Sequence, residues 1–125
     1  MAALVAIKEN NKFSYIWVGE YGEIGTLGKT LRKYYNEEKR VRELINFGSV
    51  SNVTSHVDKI QINTSELKIT NDFDKLLKER TPEIMFGYYF DTEDKIWYVY
   101  EWLNLHEKIE RRKLDDAIIE RFLEN

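Results

Sequence analysis

The stretch Gly22-Glu23-Ile24-Gly25-Thr26-Leu27-Gly28-Lys29-Thr30 closes on Gly-Lys-Thr, the triplet that ends a phosphate-binding loop. In such a loop four residues separate the first glycine from that triplet, so that backbone N–H groups ring a phosphate and the lysine reaches it. Counting back from Gly28 places Glu23 where the first glycine belongs, and Gly22 falls one residue early. A carboxylate in a phosphate cradle opposes anion binding, and the strand before it belongs to a hairpin, not to a βαβ unit. The segment reads as a structural turn. The sharper alternative is an anion held at the start of the following helix by Lys29 and Arg32.

Other chemistry is sparser. His56 and His106 stand far apart, and neither sits in a metal-ligand spacing. Asp91, Glu93 and Asp94 are as well explained by a tight turn as by a metal. The chain has no cysteine, which removes disulfides, thiolate nucleophiles and cysteine-based zinc sites. There is no Gly-x-Ser-x-Gly elbow, and no two carboxylates are singled out by spacing as an acid–base pair. The expectation is a non-catalytic protein without cofactor or metal that acts by binding.

Aromatic residues carry the strongest signal. Tyr15, Trp17, Phe86, Tyr88, Tyr89, Phe90, Trp97, Tyr98, Tyr100 and Trp102 all fall on expected strands. Because successive strand residues face opposite sides, Phe86, Tyr88 and Phe90 oppose Tyr89, and Trp97 opposes Tyr98 and Tyr100. A sheet aromatic on both faces needs cover on both: its own helices, a second copy of the chain, or a ligand. Arg111-Arg112-Lys113 adds a compact basic cluster. It is either a solvated helix face or an anion clamp, since aromatics beside arginine suit stacked bases and phosphates.

The elements that would position these groups can be read along the chain. Ala2–Lys8 and Phe13–Gly19 form a hairpin about Glu9–Lys12. Glycines at 19, 22, 25 and 28 give a turn-rich loop. Thr26–Tyr35 is helical, with Leu27, Leu31 and Tyr34 on one stripe. Asn36 is the expected N-cap of a second helix that stops at Gly48. Val57–Asn63 alternates as a strand. Asp72 caps a short helix through Arg80. Ile84–Phe90 and Lys95–Trp102 make a second hairpin, and Glu107–Leu123 is expected to be helical. The order ββ-αα-β-α-ββ-α predicts an α+β fold in which an antiparallel β-sheet carries helices packed on one face.

At 125 residues the chain fits a single domain spanning 1–125. A net charge of −3 argues against general nucleic-acid binding. No apolar run approaches the roughly 20 residues that span a bilayer. Met1–Lys12 lacks a basic n-region and a small-residue cleavage site, so it reads as a strand and residence in the cytoplasm is expected.

Phe13 to Val53 resembles a group of small phage and prophage proteins. The shared pattern is a Trp-x-x-x-Tyr turn (Trp17, Tyr21), glycines at Gly25 and Gly28 with Leu31, and a Leu-Ile-x-x-Gly-x-x-Ser close (Leu44, Ile45, Gly48, Ser51). The hairpin from Tyr88 to Val99 is similar as well. The chain departs from the group's His-Trp-Asp-Gly-Tyr-Pro core, with Gly22 where proline follows the tyrosine. Proteins of this kind include counter-defence factors such as the anti-Thoeris sequestering proteins. The resemblance implies a homo-oligomer in the host cytoplasm that binds a cyclic nucleotide or cyclic ADP-ribose-type signal without cleaving it. Trp17, Tyr21, Arg32, Phe86, Tyr88, Trp102, Arg111 and Arg112 are the expected ligand contacts. The alternative is a protein-binding inhibitor of a host defence nuclease or complex.

Overall fold

The computed structural model describes residues 2–55, 68–80, 83–104 and 108–123. Its centre is a six-stranded sheet in the order β3-β2-β1-β4-β5-β6, built from β1 (Ala2–Glu9), β2 (Lys12–Val18), β3 (Lys68–Thr70), β4 (Ile84–Asp91), β5 (Ile96–Asn104) and β6 (Lys108–Lys113). The helices are α1 (Lys29–Tyr34), which continues a five-residue π-helix over Ile24–Gly28, then α2 (Glu38–Phe47), α3 (Phe73–Arg80) and α4 (Asp116–Leu123). The α+β class expected from the sequence is what the chain adopts.

The sheet is mixed, however, because β1 runs parallel to β4 while its other neighbouring pairs are antiparallel. Helices cover both faces. On the first face Ala3, Val5, Ile7, Ile16, Val18, Tyr88, Phe90, Trp97 and Val99 pack with α1, α2 and α4 through Leu31, Tyr35, Val41, Leu44, Ile45, Ile118 and Ile119. On the second, Leu4, Ala6, Phe13, Tyr89 and Tyr100 pack with Phe73 and Leu77 of α3. Residues 2–7 are buried without a break, as a central strand in parallel pairing demands. The opposition of Tyr88 and Phe90 to Tyr89, and of Trp97 to Tyr98 and Tyr100, is as the alternation predicts.

Local chemistry sets the turns. Asn10 and Asn11 join β1 to β2 with φ of 52° and 64°, the left-handed pair that a tight hairpin turn needs and asparagine tolerates. Gly48 ends α2 at φ 99°. The N-cap of α2 is Glu37, one residue beyond the expected Asn36, and its side chain makes no capping bond. Asp72 does cap α3, accepting the Lys75 N–H at 3.0 Å. Asp91 turns the β4–β5 connection by accepting the N–H groups of Glu93 and Asp94 at 2.8 and 3.3 Å. The expected strand over 57–63 and both histidines lie outside the described residues.

The expected C-terminal helix is a strand over Lys108–Lys113, and only Asp116–Leu123 is helical. The reason is tertiary. β5 would otherwise present an unpaired edge, and pairing Tyr98, Tyr100 and Trp102 with Lys113, Arg111 and Ile109 satisfies it. Helix propensity is too weak to resist that demand.

Helix α3 sits over β4 at Gly87, where a Cβ would lie 2.6 Å from a Leu77 methyl. Leu77 is fully buried, so its side chain would have to shift within the packed second-face core. Gly87→Ala is therefore expected to cost about 1–3 kcal/mol of stability by overpacking, measured as a shift of the urea midpoint. Adding Leu77→Ala should cost less in that background than in the wild type, and strict additivity of the two would refute the contact.

Candidate functional site

The glycine-rich turn is held from three sides. Tyr88 sends its hydroxyl from the sheet to the Gly22 carbonyl at 2.7 Å. The segment after α2 runs beside the end of β2, with Gly19 N–H donating to Val50 O at 3.0 Å and Glu20 N–H to Ser51 O at 2.7 Å. The Thr26 hydroxyl donates to the Tyr21 carbonyl at 2.9 Å. Gly25 packs against the backbone of α4, where a Cβ would lie 3.3 Å from Phe122 O.

Held this way, Tyr21 has φ 57° and is 57% exposed. A bulky residue in the left-handed region is strained by roughly 1–3 kcal/mol, and such strain gathers at functional sites. Beside it opens a cleft of about 670 Å³ lined by Tyr21, Gly25, Thr26, Leu27, Lys29, Thr30, Lys33, Tyr34, Asn52 and Val53. That is the size of a small-molecule site. The π-helix forms one wall, another feature enriched at functional sites.

The cleft is positive. Among the described residues its lining contains Lys29 and Lys33 and no carboxylate. The two lysines stand one turn apart on α1, a like-charge spacing that costs a few tenths of a kcal/mol. Among the described residues neither reaches a carboxylate; Lys33 rests 5.2 Å from the Tyr34 ring centroid. Arg32 on the same helix is committed elsewhere, to Asp116 at 2.7 Å and the Leu114 carbonyl at 3.2 Å. Its guanidinium holds the Asp116 carboxyl below the usual carboxylate range.

The expected contacts do not gather at one place. Tyr21 lines the cleft. Tyr88 is wholly buried beneath the turn, and burial raises its phenol well above the ordinary range. Phe86 packs half-buried against the first-face core, and Trp17 is half-buried on the second face. Trp102 pairs with Ile109 along β5 and β6.

Arg111 and Arg112, neighbours on a strand, point to opposite faces. Arg111 donates to the Tyr89 hydroxyl at 2.7 Å and lies over the Tyr98 ring at 4.7 Å. Arg112 pairs with Glu110 at 2.9 Å and Glu101 at 3.4 Å, and Glu101 also holds Arg121 at 3.1 Å. The two arginines thus brace β4, β5, β6 and α4 instead of forming one clamp. Beside them the Tyr100 hydroxyl donates to Asp74 of α3, and burial raises its phenol as well.

Lys33, Thr30, Tyr34 and Asn52 were not picked out by the sequence reading. The signal that could have found Lys33 is the like-charge lysine spacing 29/33. Asp91 and Asp94 are engaged in their turn, with Asp94 accepting the Tyr98 hydroxyl at 2.8 Å. Among the described residues no three potential metal ligands converge, and no helix is long and apolar enough to cross a membrane. No family model, curated protein or solved structure matches the chain.

Two predictions follow from this geometry. Tyr21→Gly should leave the denaturation midpoint unchanged or raise it, because glycine accepts the left-handed backbone. Tyr21→Val should fall below it by about 1–2 kcal/mol. A loss for Tyr21→Gly as large as a core truncation would refute the strain. The second prediction concerns pH. Tyr88 and Tyr100 have folded pKa values raised above the unfolded value of about 10. The stability this contributes is complete below that pH and is lost as pH rises through the folded values. Alkaline titration should show a class of tyrosines ionising only as the fold opens, and Tyr88→Phe should diminish that class.

Proposed function

We propose that the protein binds a phosphorylated, nucleotide-like small molecule in the cleft beside α1 and holds it without turning it over. The observation that carries this reading is a pair of lysines, Lys29 and Lys33, that meet no carboxylate among the described residues and are set between two tyrosines, one of them strained and exposed. Lysines attract phosphate, Thr30 and Asn52 supply neutral hydrogen-bonding groups, and the faces of Tyr21 and Tyr34 suit a stacked base. Among the described residues no acid–base pair or nucleophile–base pair lines the cleft, which favours retention over chemistry. The role is that of a sequestering protein, as the resemblance to phage counter-defence factors implies.

The test is a thermal-shift screen of the purified protein against cyclic nucleotides and ADP-ribose derivatives. A ligand at 100 times its Kd adds about 2.7 kcal/mol of stability, a rise of several degrees for a domain of this size. Lys29→Ala/Lys33→Ala should abolish the rise, and the ligand should be recovered unaltered. A rise that survives the double variant removes the site, and recovery of a cleaved product makes the protein an enzyme. No rise with any compound, with one host protein retained on the immobilised chain, replaces this reading by that of a protein-binding inhibitor.

A further inference from the structure

Strand β6 covers the edge of β5 and becomes an edge itself. The sheet order ends there, so one row of its backbone N–H and C=O groups meets no strand among the described residues. A bare edge is a template for another extended chain unless proline, a bulge or charge blunts it. From Ile109 to Lys113 the strand has no proline, and its pairing with β5 runs without a bulge. What it carries is charge: Arg111, Arg112 and Lys113 against Glu110.

That charge is divided unevenly between the faces. On the first face Arg112 is already matched, by Glu110 at 2.9 Å and Glu101 at 3.4 Å. On the second face Ile109, Arg111 and Lys113 follow at alternate positions. Arg111 is braced inward on Tyr98 and the Tyr89 hydroxyl, which are neutral partners. Lys113 stands exposed beside it. Among the described residues neither cation meets a carboxylate, so the second-face side of the edge is positive.

Such an edge discourages a second copy of itself. Antiparallel self-pairing centred on Glu110 sets that carboxylate against its own copy, and centring on Arg112 sets Arg111 against Lys113. Like charges directly opposite destabilise a strand pair. Centring on Arg111 sets Arg111 against itself, and the Glu110–Arg112 cross-pairs it allows only replace the ion pair already made within the strand. An acidic strand meets none of these penalties. We propose that the β6 edge takes up an extended acidic segment of another protein, antiparallel, as an added strand. Its carboxylates fall at alternate positions opposite Lys113 and Arg111, followed by an apolar residue opposite Ile109. The intervening residues are neutral, because Arg112 is already matched. Main-chain bonds supply affinity in this mode, and the alternate side chains supply specificity.

Fluorescence anisotropy with the end-blocked peptide Ser-Glu-Thr-Glu-Thr-Val-Ser tests this on the intact chain. The peptide should bind saturably. Backbone N–H groups alternate in direction along a strand, so N-methylation of the glutamates and valine, or instead of the threonines, blocks opposite sides of the peptide. One of these two forms should weaken by about tenfold or more, the equivalent of 1.4 kcal/mol, and the other should bind as the parent does. Lys113→Glu, a change on the surface, should weaken binding, as should a peptide with its two glutamates adjacent. Lys29→Ala/Lys33→Ala should bind the peptide unchanged. No binding, or equal effects of the two methylations, overturns the added strand. Full affinity in Lys113→Glu, or loss in the Lys29/Lys33 variant, removes the peptide from this edge. A dimer seen by sedimentation that the peptide dissociates gives the edge to a second copy and overturns the proposal.

Discussion

Strands β1 and β4 lie side by side at the centre of the sheet, parallel, and both are covered on both faces along most of their length. Val5 and Tyr88 face one layer of helices, and Leu4 and Tyr89 face the other. Parallel neighbours cannot be joined by a tight turn, so the chain between them must leave the sheet and return. Everything from Lys12 to Glu83 belongs to that excursion. It returns β2 and β3 to the sheet on the far side of β1, lays α1 and α2 over the first face, and brings α3 over the second. Burial of this strand pair is what the remaining elements serve, because a side chain the size of Val, Leu or Phe gains about 1.5–3 kcal/mol when it leaves water.

The position of the cleft follows from the same excursion. The chain leaves β2 at Val18, and the first helix must start almost at once to cover Tyr88 and Phe90. The glycine-rich turn is the short path between them. Tyr88 fastens it at Gly22, and Trp97 fastens the end of α1 by donating to the Tyr35 carbonyl at 2.6 Å. The apolar side of α1 is fixed inward by Leu31 and Tyr35. Lys29, Arg32 and Lys33 must then project outward over the two edges of the helix. Among the described residues only Arg32 pairs there with a carboxylate, and that sets it apart from its two neighbours.

Much of this was legible in the residues. The two hairpins, the stop at Gly48, the cap at Asp72 and the aromatic alternation in β4 and β5 all follow from local chemistry, which a linear reading sees directly. The parallel pairing of β1 with β4 does not. Its sequence trace is the unbroken apolar run Ala2–Ile7, which marks a strand covered on both faces but not its partner. Lys108–Lys113 was misjudged for a related reason. Its charges at three- and four-residue spacing suit a helix, and only the open edge of β5 makes it a strand. That single change of period moves Arg111 and Arg112 to opposite faces and dissolves the clamp they suggested. The site was half legible: Tyr21 and Lys29 stand in the suspicious turn, whereas Asn52 and Tyr34 join them only through the fold.

Local rules are broken in few places here, and two of the breaks coincide. A tyrosine occupies a backbone conformation that glycine would hold without strain, and a few residues on, two lysines sit at a repulsive spacing. Each break costs stability and neither serves the core, since Tyr21, Lys29 and Lys33 are all exposed. Elsewhere asparagines take the left-handed positions at 10 and 11, Lys95 takes one at φ 59° in the β4–β5 turn, and Arg42 one turn after Glu38 forms an ion pair at 3.1 Å. Departures from local rules are expected where a site is held against the demands of stability, and Tyr21 and the lysine pair place two such departures on the walls of one cleft.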